Sequence, residues 1–582
     1  MSASASNLSN ARYRYDMVCA TTQDSVNATM KEFLSGIAAQ EFSACYTFNP
    51  ATREKVLTPL SEIVAKIGGD PFSIPDGADE TNPLVAKLYN DCKFVFGFKA
   101  KTGLPDGVAP AAMPDIVRLD KGNSLVSYLL YCAEFSVIVL NQNFGSLSFT
   151  NLSQPAASPW EFQFEVNLGM RAGDQNAFNN LPADIQQRIK DLNPNSAFSV
   201  QQLYLDLNSA GLEGMPTIQG LDPTSDAYVY LTRTFINQYW KNLGSSGVVL
   251  GYSVQPVTPD NQAPSIIPTD LNIEVSPYLD AQGNATTTYG MYTLNYLVMS
   301  KGATMPPAVT FNWNWVEQSE ATDYHGAIAI RRDIFFDYLL ALLNQAAPSL
   351  CIHTHVDLSH SGETYTISYS WSQPAADATS FTKLAQPGAP DADGFASIMS
   401  LSFGCESYDS SEASSHMSSI NGNFNYSMSG DVAISSDTIR ITLHAIVYVE
   451  YNTHELGDRH TIVSGNALDL THTIKLQVAV DEHGHLAVNQ TSSDSGGVQT
   501  LYYGSDPLMT NLGNIKDNVT NCSASASTAI TTAMSSFGSQ MTDMINGSHG
   551  WVFPGGKTFL YKAAGFSTAQ DLIAHVTYVD PS

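Results

Sequence analysis

Between residues 423 and 488, apolar side chains alternate with polar ones over stretches too long for an ordinary strand. Ile439, Ile441, Leu443, Ala445, Val447 and Val449 keep a strict period of two. Leu468, Leu470, Ile474, Leu476, Val478 and Val480 do the same, interrupted only by His472. That period puts all of these side chains on one face of a strand. A usual strand is about 5–6 residues long, and both runs are roughly twice that. Long antiparallel strands with one apolar face need a long apolar partner to cover it.

A cover follows downstream. Leu512, Ile515, Val519, Cys522, Ala526, Ala529, Ala533, Phe537, Met541 and Met544 recur at spacings of three to four. They predict one helix, which at 1.5 Å per residue reaches roughly 50 Å. Its stripe is narrow and rich in alanine.

The remaining elements are coarser. TQDSVNATMKEFLSGI carries Val26, Met30, Phe33, Leu34 and Ile37 at helical spacing, between a Thr/Asp start and Gly36. PLSEIVAKI predicts a short helix stopped at Gly68–Gly69. KFVFGFKAKTG, SYLLYCAEFSVIVLN and EFQFEVNLGM read as strands, and PADIQQRIKDL and DAYVYLTRTFINQYWKNL as helices. A proline-rich connector fills 255–268, followed by a hairpin turning at DAQGN. Residues 331–346 predict a helix with Ile334, Phe335, Tyr338, Leu339, Leu342 and Leu343 on one side. WVFPGGKTFLYK and AHVTYV predict closing strands.

Composition sets limits on function. Hydrophobic residues are 43% of the 582 and charged ones 14%, ample for large cores. The net charge of −28 repels nucleic acid and anionic membrane surfaces, and leaves a basic protein as a possible partner. Seven cysteines, an odd number at wide spacing with no CxxC, predict a reduced intracellular chain. No apolar leader and no run of 18 apolar residues is visible, so a cytoplasmic protein, or one released without a signal peptide, is expected, with no membrane span.

Catalytic signatures fail on spacing. All 13 histidines lie between His325 and His575. His353 and His355 share one strand face and, with Asp357 or His360, are weak metal-ligand candidates; the plainer reading is a polar strand face without a metal. His472 reads as a hydrogen-bonded core residue, and His483 and His485 as turn residues. His454-Glu455 and His460 lack the four-residue histidine spacing of a zinc-protease helix. GGKT at 555–558 has Trp551 where a P-loop needs glycine. No GxSxG or GxGxxG is present, and Cys19, Cys92 and Cys132 precede every histidine by over 190 residues, which leaves a nucleophile role unsupported. No cofactor and no catalytic residue is expected.

YDMVCATTQDSVNATMKEFL, with its Val26-Asn27 pair, resembles the opening of the P47 and OrfX proteins of clostridial neurotoxin clusters. DPFSIPDG (70–77), GLPDGVAPAAMPDIVRL (103–119) and GAIAIRRDIFFDYLLALL (326–343) resemble the same family. FPGGKTFLYKAAGFSTAQDLIAHVTY resembles fungal proteins of that group. The resemblance implies an α+β, TULIP-like (tubular lipid-binding) fold, in which long helices are wrapped by strongly curved antiparallel sheets. It also implies a lipid or other hydrophobic ligand, or a role as a toxin accessory.

Together these readings predict two modules, 1–315 and 316–582, and non-enzymatic binding of an apolar ligand in a groove between helix and sheet. The expected lining is Val26, Met30, Phe33, Leu34 and Ile37 in the first module, and Phe335, Leu339 and Leu342 in the second. The alternatives are a protein-interaction role for the acidic surface and a metal-dependent enzyme built on the histidine-rich half.

Overall fold

A computed structural model describes all residues except 1, 37–40, 106–107, 110–111, 123, 144, 156–158, 174–197, 215–223, 225–247, 257–267, 301–302, 363, 373–377, 413–417, 485, 505–511, 547–550, 553–557 and 580–582. The two helices expected within 182–192 and 226–243, most of the proline-rich connector, and most of GGKT lie outside the described residues.

The described chain is mostly β, in four antiparallel sheets. This corrects the expected α+β, TULIP-like architecture: no long helix wrapped by curved sheets is present among the described residues. Backbone pairing explains the difference. The long alternating strands pair with one another in a six-stranded sheet, and twelve other strands merge into one sheet drawn from both ends of the chain.

That sheet runs, edge to edge, β12 (Pro268–Ser276), β13 (Thr293–Ser300), β1 (Met17–Thr22), β14 (Gly326–Ile330), β25 (Leu572–Val579), β24 (Thr558–Phe566), β23 (Trp551–Val552), β11 (Val248–Pro256), β10 (Phe198–Gly214), β9 (Phe162–Gly173), β6 (Leu125–Leu130) and β5 (Val117–Arg118). β1 sits between strands remote in sequence, with Met17 opposite both Val298 and Ile330. One face of the sheet joins the main core. Near β1 the other face packs Val18, Ala20, Leu297 and Ala329 under the N-terminal residues and the 303–316 segment, through Tyr13, Tyr15, Phe311, Trp313 and Trp315.

A five-stranded sheet has the order β3 (Glu54–Thr58), β2 (Glu41–Asn49), β4 (Phe94–Thr102), β7 (Cys132–Asn143), β8 (Ser146–Ser153). The expected single strand SYLLYCAEFSVIVLN is thus two, β6 and β7, which belong to different sheets on either side of Tyr131. α2 (Leu60–Ile67) and α3 (Pro83–Lys87) cover one face of this sheet with Ile63, Ile67 and Val85. α2 ends at Gly68, whose φ of +76° suits the left-handed stop of a helix.

A six-stranded sheet holds the alternating runs: β17 (Thr382–Lys383), β18 (Ala396–Glu412), β19 (Ser418–Ile434), β20 (Thr438–Glu455), β21 (Asp458–Val480) and β22 (Leu486–Val498). Ile439, Ile441, Leu443, Ala445 and Val449 are fully buried on one face, as their period requires. His454 and His460 flank the β20–β21 turn on paired strands, so neither stands on a helix.

The expected 50 Å helix is instead two, α5 (Leu512–Ala533) and α6 (Phe537–Asn546). Gln490 of β22 fills the break: its Nε2 donates to the Met534 carbonyl at 2.9 Å and its Oε1 accepts from the Gly538 N–H at 2.7 Å. Those backbone groups would otherwise bond along a continuous helix. Ser535 bonds the Thr532 carbonyl through its hydroxyl, which adds to the local competition. No helix among the described residues is long and apolar enough to cross a membrane.

α1 (Gln23–Gly36) is tied to the 113–119 segment by Gln23, Asn27 and Lys31. Asn27 accepts from the Ile116 and Val117 N–H groups at 2.7 and 2.9 Å and donates to the Gln23 and Val117 carbonyls. Val26-Asn27 and the 103–119 run, both parts of the motif resemblance, therefore meet through hydrogen bonds.

Candidate functional site

β15 (His353–Ser361) and β16 (Thr364–Ser372) form a hairpin that lies beside the six-stranded sheet without joining its ladder. Side chains take the ladder's place. Ser407 and Asp409 of β18 accept from the Val356 and Leu358 N–H groups at 3.0 and 2.7 Å. Ser411 shares a 2.9 Å hydrogen bond with His360, and Thr354 donates to the Phe424 carbonyl. Positions 407, 409 and 411 share one face of β18, so one row of polar side chains caps one edge of the hairpin.

α5 caps the other edge. Asn518 Oδ1 accepts from the Tyr369 N–H at 2.9 Å, and the Cys522 thiol lies 3.5 Å from the Tyr369 carbonyl. Ile515, Val519, Ser523, Ala526 and Ile530 face inward. The interior between α5, β16 and the six-stranded sheet is therefore apolar and continuous with the main core.

Two polar atoms break that rule. The Tyr369 ring packs edge-on against Phe424 at 5.0 Å; the residue is 2% exposed and its hydroxyl has no hydrogen-bond partner. Burial, with the Tyr503 and Tyr451 phenols nearby, raises its pKa far above the ordinary phenol range, so it stays a hydroxyl. Ser523 is 0% exposed, and its hydroxyl also lacks a partner. Helical hydroxyls usually bond back to the preceding turn, as Thr528 does to the Ala524 carbonyl at 3.0 Å. Ser523 does not.

Five of the eight predicted lining residues have described side chains. Val26, Met30, Phe335, Leu339 and Leu342 are buried in one continuous apolar cluster, the last three on α4 (Arg332–Ala346). Phe33 and Leu34 belong to α1, and Ile37 lies outside the described residues. Tyr369 and Ser523 were not anticipated. Their only signals are a serine inside an apolar helical stripe and an inward tyrosine in TYTISYSWS.

Catalytic groups are sparse. His353 and His355 stack at 4.5 Å, with His355 exposed and the buried Nδ1 of His353 unpartnered. No group of three or more metal-ligating side chains converges among the described residues. His472 is buried and bonds Asp494. All seven cysteines are free. Burial raises the thiols of Cys19, Cys92, Cys132 and Cys522 above the ordinary range and pushes Cys45 up to about 12, which removes thiolate character.

Surface clefts also lie among the described residues. One of about 250 Å³ lies among Lys99, Lys101, Glu41 and Glu134, whose lysines are already paired at 3.2 Å. Another, about 330 Å³, lies above Gly404 on the outer face of the six-stranded sheet, between Glu406, Asn425 and Tyr448.

No family model and no curated protein matches this chain. Among solved structures, the crystal structure of a lipopolysaccharide binding protein aligns with 98% of this chain and 99% of its own, at 10% identity and a TM-score of 0.30. That score is too low for the likeness to carry weight on fold or on function.

Proposed function

We propose that this protein binds, without transforming it, a lipid or other apolar ligand carrying one hydrogen-bonding group, in the space between α5, β16 and the six-stranded sheet. The unpaired hydroxyls of Tyr369 and Ser523 carry this reading. A buried hydroxyl with no partner costs about 1–3 kcal/mol, and a ligand that answers it offsets that cost. Binding sites for apolar molecules have this composition, with apolar walls and a few polar atoms that fix orientation. Each buried methylene of the ligand adds about 0.8 kcal/mol. The motif resemblance to P47 and OrfX proteins points to the same ligand class.

The test is solvent extraction and native mass spectrometry of the purified protein, followed by thermal-shift titration with fatty acids, fatty alcohols and sterols. A stoichiometric apolar species, lost in the Tyr369→Phe, Ser523→Ala double variant, is the expected result. Absence of any bound or stabilising apolar molecule overturns the reading. The net charge of −28 favours a second reading, docking of a basic protein; salt-sensitive capture of a defined basic partner by ligand-free protein would support it.

A further inference from the structure

A carboxyl group lies beneath the 303–316 segment, away from the site just described. Glu274, on the edge strand β12, is 0% exposed. Its Oε2 accepts from Ser276 Oγ at 2.8 Å and from Asn295 Nδ2 at 2.7 Å. Its Oε1 has no partner, and neither has the buried Oδ1 of Asn295. Two neighbouring acceptors without donors suit an uncharged acid, which brings a proton of its own, and not a carboxylate.

The segment above forms no helix or strand, and hydroxyls, the Asn314 amide bonded both ways to Leu279, and Arg12 at the Thr310 carbonyl hold it down. Tyr15 OH donates to the Pro307 carbonyl and accepts from the Val309 N–H. Tyr13 OH bonds both the side chain and the N–H of Asn312. The Phe311 N–H donates to Ser276 Oγ at 3.2 Å, and that hydroxyl donates onward to Glu274. One chain of hydrogen bonds thus runs from the segment to the carboxyl.

We propose that Glu274 is a proton-operated latch: the neutral acid holds residues 303–316 on the sheet, and its ionisation loosens them and uncovers Phe311, Trp313 and Trp315. The surroundings offer a carboxylate little help. Arg12 is the cation that acts on it, and its guanidinium is exposed and directed at the Thr310 carbonyl. Tyr13 and Tyr15 are phenols kept protonated by burial, β13 contributes only the amide of Asn295, and residues 303–316 carry no charged side chain. On neighbouring elements, Asp16 is occupied by Arg331, and Glu317 by Tyr278. Burial pushes the Glu274 carboxyl up to about 7, against smaller lowering effects of Asn295, Ser276 and Arg12. A charge formed there would be buried, with Arg12, exposed and turned to the Thr310 carbonyl, as the cation acting on it.

Amide hydrogen exchange of the full chain between pH 5 and 9, corrected for intrinsic exchange, tests this directly. Protection of residues 309–316 should fall at least tenfold, with a midpoint near 7, while β20 and β21 stay protected. Glu274→Gln should hold the segment protected throughout. In parallel, the infrared carbonyl band of a protonated carboxylic acid should disappear over the same pH range. Flat protection in the wild type, an unchanged transition in Glu274→Gln, or an opening that does not track the infrared band would each overturn the proposal. If the glutamine variant fails to fold, the match between band and opening in the wild type decides.

Discussion

Asp16 and Arg331 form an ion pair at 2.8 Å, with the aspartate side chain only 3% exposed. The other carboxylate oxygen accepts from the Ser300 N–H and hydroxyl, so one residue joins the start of β1, the end of β13 and the entry to α4. Asp16→Ala would remove the buried partner of Arg331, leaving it Asp333 at 3.9 Å and the Arg14 carbonyl, and should cost about 3 kcal/mol. Asp16→Asn, which keeps an acceptor for Ser300, should cost less. Urea unfolding of both variants checks the order.

Asn27 answers two buried N–H groups at once. Asn27→Ala leaves both unpaired, at about 1–3 kcal/mol each. Melting of the variant should drop accordingly, with exchange at Ile116 and Val117 accelerating before global unfolding. Asn27→Asp keeps the acceptor oxygen and should fall between the two.

At Gly326 a Cβ would sit 2.2 Å from the Ala20 carbonyl oxygen and 3.3 Å from Val576, within a strand paired on both sides. Backbone cannot yield there as a flexible side chain would. Gly326→Ala should cost roughly 3 kcal/mol or more. Gly404→Ala, where the nearest atom is 3.9 Å away, is the control and should melt like the parent.

The Tyr369→Phe, Ser523→Ala pair should change sign with ligand. In stripped protein, removing two unpaired hydroxyls should raise stability by about 2 kcal/mol or more. In loaded protein the same change should lower it, because the ligand loses its partners. Differential scanning of stripped and loaded samples reads both signs.

Glu274 holds its proton more tightly folded than unfolded. Its contribution is therefore complete below the usual carboxylate range, falls as pH rises toward about 7, and levels off above that. Glu274→Gln should gain roughly 2.5 kcal/mol on the wild type between pH 5 and pH 8. Chemical denaturation at the two pH values measures the difference.

How much of this was legible in the residues follows from the range of each signal. The β20 and β21 alternation is local, because one buried face leaves a period of two along the strand itself. The apolar character of Val26, Met30, Phe335 and Leu339 is legible for the same reason. The break between α5 and α6 is not, since it depends on Gln490, 44 residues before Met534. Nor does local periodicity state that β1 lies between β13 and β14, and that nonlocal pairing overturned the helix-wrapping architecture. Tyr369 and Ser523 escaped notice because a hydroxyl looks like surface until α5 docks on β16. Glu274 reads as one acid among 55 until 303–316 covers it.

The placement of β1 has a consequence in time. A growing chain makes Met17 early, but its partners Val298 and Ile330 emerge about 280 and 310 residues later. At 5–20 residues per second, translation takes roughly 15–60 s to deliver them. During that interval MVCATT is an apolar strand with both edges open, the form most prone to pair with a neighbouring nascent chain. Slow synthesis should therefore lower the soluble yield, and holdase chaperones present during translation, more than after it, should restore it.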